Sequence, residues 1–517
     1  MTPLSPALPS ARPSPRLRRF AGNALWSILG VLVGLVAGLL LSPYIIRKLG
    51  SEGYGVWSLA FSLTAYYGFL DFGLRSAIVN YTAREFAHGN HAKINEFLST
   101  ALAFSAGVTV LLGFVIALLA PRTPRWFGMA SEFRGGFQLL FVLASGSAVL
   151  SFCFNIVSGC LEGFQQYGVL RRLQTVVFAC RTIGYFLVLR QGGGLIWMAL
   201  CTVSSAAALW IGYTLLLRSV FPQLHIRWSL VRMDVLREMA RYGFHTNVNG
   251  GASLLLEQTP PVLIARAFPE SVVGYFSLPL RIVQTPLQIV RTIAEMLNPL
   301  TAEYLAREES AKLVRLGILG NRYSFVLYAP FALFILTWGT DLVRLWVGEE
   351  FAVSAAPLLP YFVVGAWVAL AGQSASVGIL FGLGEHRWCA WGMVGEAVVV
   401  ASAAALVLDR GLVVLAMWCA GAMLANRGVL IAWALCQSFR ISFGPYLWSI
   451  YGRGLLLAIP IYLLLAYLQQ FFPVKNWGLI VLAAAASCIY LLPAFFLCFE
   501  KDHRHAAVYW TRKLLRG

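Results

Sequence analysis

Charge is what this chain most lacks. Only 12% of its 517 residues are Asp, Glu, Lys or Arg, roughly half of what a soluble globular protein carries. Acid is scarcer still, with 22 Asp and Glu against 40 Lys and Arg. A chain so poor in charge cannot keep a water-facing surface over most of its length, which excludes an ordinary soluble enzyme. Soluble segments of domain size are absent as well, so the net charge of +18 has no platform for binding nucleic acid. The nine cysteines form no CxxC and the seven histidines no HExxH, so no metal-ligand spacing is present. The cysteines lie in or beside apolar runs and read as small hydrophobes. There is no phosphate-binding GxxxxGK loop and no GxSxG elbow. The longest loops, about 20–25 residues, leave no room for a glycosyltransferase or polymerase domain. No enzyme is expected, and no cofactor is called for.

What is present is apolar. Hydrophobic residues make up 59% of the chain and mean hydropathy is +0.72. Runs of about 20 apolar residues, the length that spans a bilayer, predict an all-α integral membrane protein of about fourteen transmembrane helices. Residues 1–20 read as a basic tail, 21–217 as a first lobe of six helices and 218–241 as an amphipathic connector. Residues 242–437 read as a second six-helix lobe, 438–498 as two additional spans and 499–517 as a second basic tail. The run from Ala21 to Ile46 is longer than a signal peptide's core of about 7–15 residues, so it reads as a retained first helix. Lys and Arg concentrate before the first helix, in alternate loops, in the connector and in the last tail. That distribution puts both termini on the cytoplasmic side of a bacterial inner membrane.

The two lobes repeat one another. Gly55-Val56-Trp57-Ser58-Leu59 recurs as Gly274-Tyr275-Phe276-Ser277-Leu278, a register of 274 − 55 = 219. The same offset carries Gly159 onto Gly378, Gly163 onto Gly382 and Gly192 onto Gly411, and Trp126-Phe127-Gly128 returns one residue out of register as Trp346-Val347-Gly348. Six helices per copy is an even number, so both copies enter from the same side. The repeat is parallel, and a central cavity between the lobes, worked by alternating access, is expected.

Ionisable groups at membrane depth are costly and are therefore site candidates. Glu257 falls about 18 Å into the predicted span 243–266, beside Gln258 and the pair Pro260-Pro261, which is expected to break the helix. Asn247 and Asn249 share that helix. Arg281 and Arg291 lie about 15 Å apart on the next span. Their planar forks suit phosphate oxygens. Arg181 is expected at mid-depth of the fifth span. Glu396 and Arg427, on the eleventh and twelfth, have charges that could pair. Asp71 and Arg75 close the second span as a local pair or a gate. The reading is thus a cationic cavity of Arg281, Arg181, Arg291, Arg427, Asn247 and Asn249, with Glu257, Asp71, Arg75 and Glu396 in coupling or gating. Where the copies disagree is informative: Glu257 falls opposite Gly38, Arg281 opposite Ser62 and Arg181 opposite Val400.

Leu49-Gly50-x-x-x-Tyr54-Gly55-x-Trp57-Ser58-Leu59, the following Leu70-Asp71-Phe72-Gly73-Leu74, Gly274-Tyr275-Phe276-Ser277 and Leu345-Trp346-Val347-Gly348-Glu349-Glu350-Phe351 together resemble the polysaccharide transporter, or O-antigen flippase, family. That family belongs to the multidrug/oligosaccharidyl-lipid/polysaccharide flippase superfamily. The resemblance covers nearly the whole chain. It implies a flippase that moves a polyprenyl-pyrophosphate-linked oligosaccharide to the periplasmic leaflet, with the lipid-linked glycan, membrane lipids and other polysaccharide-assembly proteins as partners. Many members carry an Asn-Asp or similar polar group where this chain has Glu257-Gln258-Thr259-Pro260-Pro261. The alternative is a cation-coupled multidrug exporter of the same superfamily, with H+ or Na+ as the coupling ion. A membrane polymerase or ligase is disfavoured because the large outer loop of such enzymes is missing.

Overall fold

The computed structural model describes residues 15–129, 131–295, 297–407, 410–471 and 476–505, and most of their side chains. Among them every regular element is helical. Among the described residues eleven helical stretches are long and apolar enough to cross a membrane, against about fourteen expected. The difference is physical. The predicted spans 22–45 and 54–74 are two helices that meet in a kink at Gly50, where φ is 73°, within Pro15–Ala65, and Leu32–Leu70 counts as one stretch. Helices Met233–Ala267 and Glu270–Glu295 hold the other two predicted spans, and neither is among the eleven. They carry Arg237, Arg241, Glu257, Arg281 and Arg291, which lower their hydropathy.

The chain forms two units. The first comprises residues 1–41, 70–118 and 142–244; the second comprises 42–69, 119–141 and 245–517. In the first, apolar faces of Leu74–Ala87, His91–Leu119 and Ser131–Gly163 bury Leu74, Ile78, Ile94, Leu98, Ile156 and Leu161 in one core. Tyr81 and Phe97 stack there with centroids 4.7 Å apart. Tyr167–Arg190 and Leu195–Val220 pack side by side against each other. Burial of such faces, rather than helix propensity, supplies most of their stability.

The hub of the second unit is helix Ser310–Val347, which touches Glu270–Glu295, Ser374–Gly382, Arg453–Phe471, Trp477–Ser487 and Leu491–Cys498. A buried polar network fastens it. Asn321 Nδ2 donates to Ser376 Oγ at 2.7 Å, Asn321 Oδ1 accepts from Ala375 N at 2.8 Å, and Gln373 Nε2 donates to Tyr451 Oη at 2.9 Å. Tyr446 Oη joins the same cluster. Because its members satisfy one another, burying it is tolerable, and it fixes the chain from Phe443 onward to the hub.

The 219-residue register appears in the backbone. Left-handed residues occur at matching places: Gly89 (φ 70°) and Glu308 (φ 55°), Gln165 (φ 58°) and Gly384 (φ 76°), Gly192 (φ 80°) and Gly411 (φ 96°). Helix starts match too, at His91 and Ser310 and at Tyr167 and His386. Packing follows. A Cβ on Gly163 would lie 2.6 Å from Thr82 Cβ in the first unit, and one on Gly382 would lie 3.6 Å from Thr301 Cγ2 in the second; Thr82 and Thr301 are themselves mates.

Within the second unit the two copies also meet. A Cβ on Gly55 would collide with the carbonyl oxygen of Glu270, while one on Gly274 would approach the carbonyl oxygen of Ser51 at 3.5 Å. Gly55 and Gly274 are mates, as are Ser51 and Glu270, so the contact is reciprocal. At Gly55 only glycine admits so close a backbone approach.

Candidate functional site

The reciprocal contact lies on two helices, and one face of each lines a cavity of about 410 Å3 in the second unit. From Pro15–Ala65 come Ser58, Phe61, Ser62 and Ala65, and from Glu270–Glu295 come Ser277, Leu280, Arg281 and Gln284. Each set follows the i, i+3, i+4, i+7 spacing of one helix face, and each residue is the 219-offset mate of its counterpart. The wall is duplicated but its charge is not, because Arg281 stands where the other copy has Ser62.

Helix Met233–Ala267 contributes Leu256, Glu257, Gln258, Pro260 and Pro261 to the lining. The proline pair does not break this helix, which continues to Ala267. A proline removes its own N–H and the bond to the carbonyl four residues earlier, so the carbonyls of Leu256 and Glu257 lose their usual donors beside the cavity while neighbouring turns carry the helix through. Thr259 Oγ1 and Tyr66 Oη share a hydrogen bond of 2.9 Å that ties this helix to the segment after Ala65.

Glu396, Cys419, Met423 and Arg427 close the other side. The Glu396 side chain is 2% exposed and that of Arg427 21%. Glu396 Oε2 accepts from Arg427 Nε at 2.9 Å and from Asn426 Nδ2 at 2.6 Å. Arg427 and Arg291, with Leu370, also line an adjoining cavity of about 910 Å3, whose other polar residues include Ser253, Thr301, Gln373 and Ser374. The two arginines therefore line both chambers, and both carboxylates lie on the smaller one.

Five expected residues thus share a cavity: Arg281, Arg291, Arg427, Glu257 and Glu396. Among the described residues Glu257 and Arg281 form no ion pair with each other, and both are exposed to the cavity. Arg181 belongs to the first unit, where its guanidinium lies 5.0 Å from the centroid of Phe178 and its buried Nε has no hydrogen-bond partner among the described residues. Arg75, also in the first unit, pairs with Glu162 at 2.6 Å. The side chains of Asp71, Asn247 and Asn249 lie outside the described residues. Sequence reasoning passed over Glu162, Ser58, Ser62, Gln284 and Asn426. Applying the repeat register to the neighbours of Arg281 would have found the three that line the duplicated wall. Asn426 gave no signal beyond its place next to Arg427. Among the described residues no group of three or more His, Cys, Asp or Glu could hold a metal ion.

The arrangement can receive an anion on three arginine forks while two carboxylates keep the chamber from being uniformly cationic. Known proteins resemble the chain in ways that bear on this. Over 351 residues it is 18% identical to the Shigella flexneri "Putative O-antigen transporter", covering 66% of this chain and 80% of that one. It is 20% identical over 345 residues to the Bacillus subtilis (strain 168) "Uncharacterized membrane protein EpsK", covering 66% and 68%. Among solved structures, the lipid II flippase MurJ in an inward closed conformation aligns with a TM-score of 0.66 at 12% identity, over 92% of this chain and 98% of that one. An inward-facing multidrug resistance MATE family transporter of the MOP superfamily aligns with a TM-score of 0.63 at 14% identity, over 81% and 95%. These two likenesses establish a transporter fold of the MurJ and MATE kind. Residues 20–305 match the model of the polysaccharide biosynthesis protein family, and with more than half its length so matched, the chain belongs to that family.

Proposed function

We propose that the protein is a flippase carrying a polyprenyl-pyrophosphate-linked oligosaccharide from the cytoplasmic to the periplasmic leaflet, by alternating access, for cell-surface polysaccharide synthesis. The observation that carries this reading is the clustering of Arg281, Arg291 and Arg427 on one cavity. Arginine binds phosphate oxygens bidentately, and such contacts are stronger where water is sparse. The adjoining chamber, with its hydroxyls and amides, suits the glycan, while the lipid stays in the bilayer. The family membership and the O-antigen transporter relative support the same cargo class. In this reading residues 21–217 and 242–437 act as the rocking lobes, Glu257 and Glu396 serve coupling to H+ or Na+, Asp71 and Arg75 serve gating, Arg181, Asn247 and Asn249 serve cargo binding, and both termini face the cytoplasm.

The test is translocation in proteoliposomes of a fluorescent polyprenyl-pyrophosphate disaccharide, followed by its exposure to membrane-impermeant periodate. The protein should expose the inner-leaflet lipid, and Arg281→Ala should abolish that activity at unchanged protein level. The exposed carboxylate of Glu257 favours a second reading, export of organic cations. Extrusion of cationic dyes by the same vesicles, without glycolipid movement, would replace the first reading with the second.

A further inference from the structure

Glu396 has two donors on one oxygen, and they come from consecutive residues, Asn426 and Arg427. Consecutive side chains on an α-helix point well apart. Here residues Leu424–Leu430 form a π-helical turn, whose wider spiral turns each residue less and lets both reach Oε2. Such turns recur at functional sites. The fit is close, since a Cβ on Gly392 would run into Asn426 Oδ1. Arg427 engages Glu396 through Nε alone. A guanidinium has five N–H donors, so its terminal nitrogens are left over by the ion pair, and the residue lines both chambers.

We infer that Glu396 is an internal counter-anion that competes with the cargo's phosphate for Arg427. This rests on the phosphate-bearing cargo proposed above. A phosphate on the terminal nitrogens of Arg427 meets a guanidinium whose charge Glu396 already offsets, and one that draws the guanidinium further pulls Nε from Oε2, leaving a buried carboxylate stripped of its cation, which is strongly disfavoured. Asn426 Nδ2 stays on Oε2 during that exchange, which keeps the state reachable. The pair thus weakens phosphate binding below what three uncompeted arginines would give. A carrier needs that, because a site that binds too tightly does not unload. Glu396 on this account is a positioning residue that acts through Arg427 and never touches the cargo.

The experiment is calorimetric titration of the purified full chain in nanodiscs with inorganic pyrophosphate as the probe. Glu396→Gln, which keeps the shape and can still accept from Asn426, should bind about tenfold tighter, the order expected for losing one competing charge pair. Arg427→Ala should bind about tenfold weaker than wild type. The double variant should match Arg427→Ala, since Glu396 has no effect without its arginine. Structural damage would not tighten binding, so a gain separates competition from a strut. Glu396→Met is run alongside, so that misfolding of one variant leaves the other to decide. Unchanged or weaker binding in the Glu396 variants, with Arg281→Ala still weakening it, would overturn this inference and leave the cargo reading intact. Failure of wild type and Glu396→Gln alike to bind pyrophosphate would overturn both.

Discussion

Ser62 and Arg281 occupy the same position of the repeat, and both line the same cavity. One copy offers a hydroxyl and the other a guanidinium, from helix faces that are otherwise matched. Arg281→Ser makes the two faces alike at this position, and pyrophosphate binding should weaken about 10- to 100-fold, as for loss of a charge-assisted hydrogen bond of about 1.5–3 kcal/mol. Moving the arginine, in Ser62→Arg with Arg281→Ser, should restore part of the binding, because the mate faces the same space. Titration of the two variants beside the wild type checks this, and no rescue by the transplanted arginine would show that the two positions are not equivalent.

The glycine contact sets a second expectation. Replacing Gly55 by valine puts a branched side chain where even a Cβ collides with the Glu270 carbonyl, and should destabilise the protein by about 1–3 kcal/mol. Gly274→Ala meets Tyr54 Cδ1 at 3.0 Å, a side-chain atom that can give way, so its loss should be smaller. Thermal unfolding of the protein in detergent ranks the two.

The cluster around Asn321 is fully buried, with Asn321 itself 0% exposed. Asn321→Leu removes both ends of the amide and strands Ala375 N, while Ser376 Oγ loses one partner and keeps Gln373 Oε1 and Tyr446 Oη. The expected loss is about 1–3 kcal/mol for each group left unpaired. Chains that still fold should show faster hydrogen exchange from Phe443 onward, where Tyr446 loses its bond from Asn321 Nδ2. Uniform exchange across the whole chain would count against this network as the fastening point.

Beyond the last span, Glu500 forms an ion pair with Arg315, and its backbone N–H is 3.3 Å from Tyr323 Oη. The hydrogen bond from Arg315 holds the Glu500 carboxyl below its ordinary value. A carboxylate depressed in the folded state adds stability that is full above its unfolded pKa of about 4.3 and fades as pH falls through the folded one. Proteolysis or exchange at residues 499–505 should therefore be slow at neutral pH and accelerate only below about pH 4.3. Glu500→Gln should show the faster rate at every pH. The pair is partly exposed, so the effect should shrink at high salt.

Much of this was legible in the sequence because the repeat is a matter of spacing. The 219-residue register, read from a few glycines and tryptophans, anticipated matched left-handed turns such as Gly192 and Gly411. It also singled out Arg281 by contrast with Ser62. The helix count was less legible. Gly50 interrupts a helix by its dihedral alone, which hydropathy does not register, and the two helices richest in cavity-lining charge are those least like a lipid-soluble span. The proline pair misled because a helix loses two hydrogen bonds there and still continues. The pairing of Glu396 with Arg427 was anticipated from charge. Its geometry was not, because the π-helical turn that brings Asn426 to the same oxygen leaves no mark in the composition of Leu424–Leu430.

The reciprocity at Gly55 and Gly274 bears on ancestry. When residue i of one copy touches residue j of the other, and j touches i in return, the contact has the form of a twofold interface between identical subunits. Before the halves were joined in one gene, Gly55 would have met the position now held by Glu270 on a second polypeptide of the same sequence. Such a homodimer could not place one arginine without placing two. Fusion removed that constraint, and a serine and an arginine could then diverge at a single symmetric position.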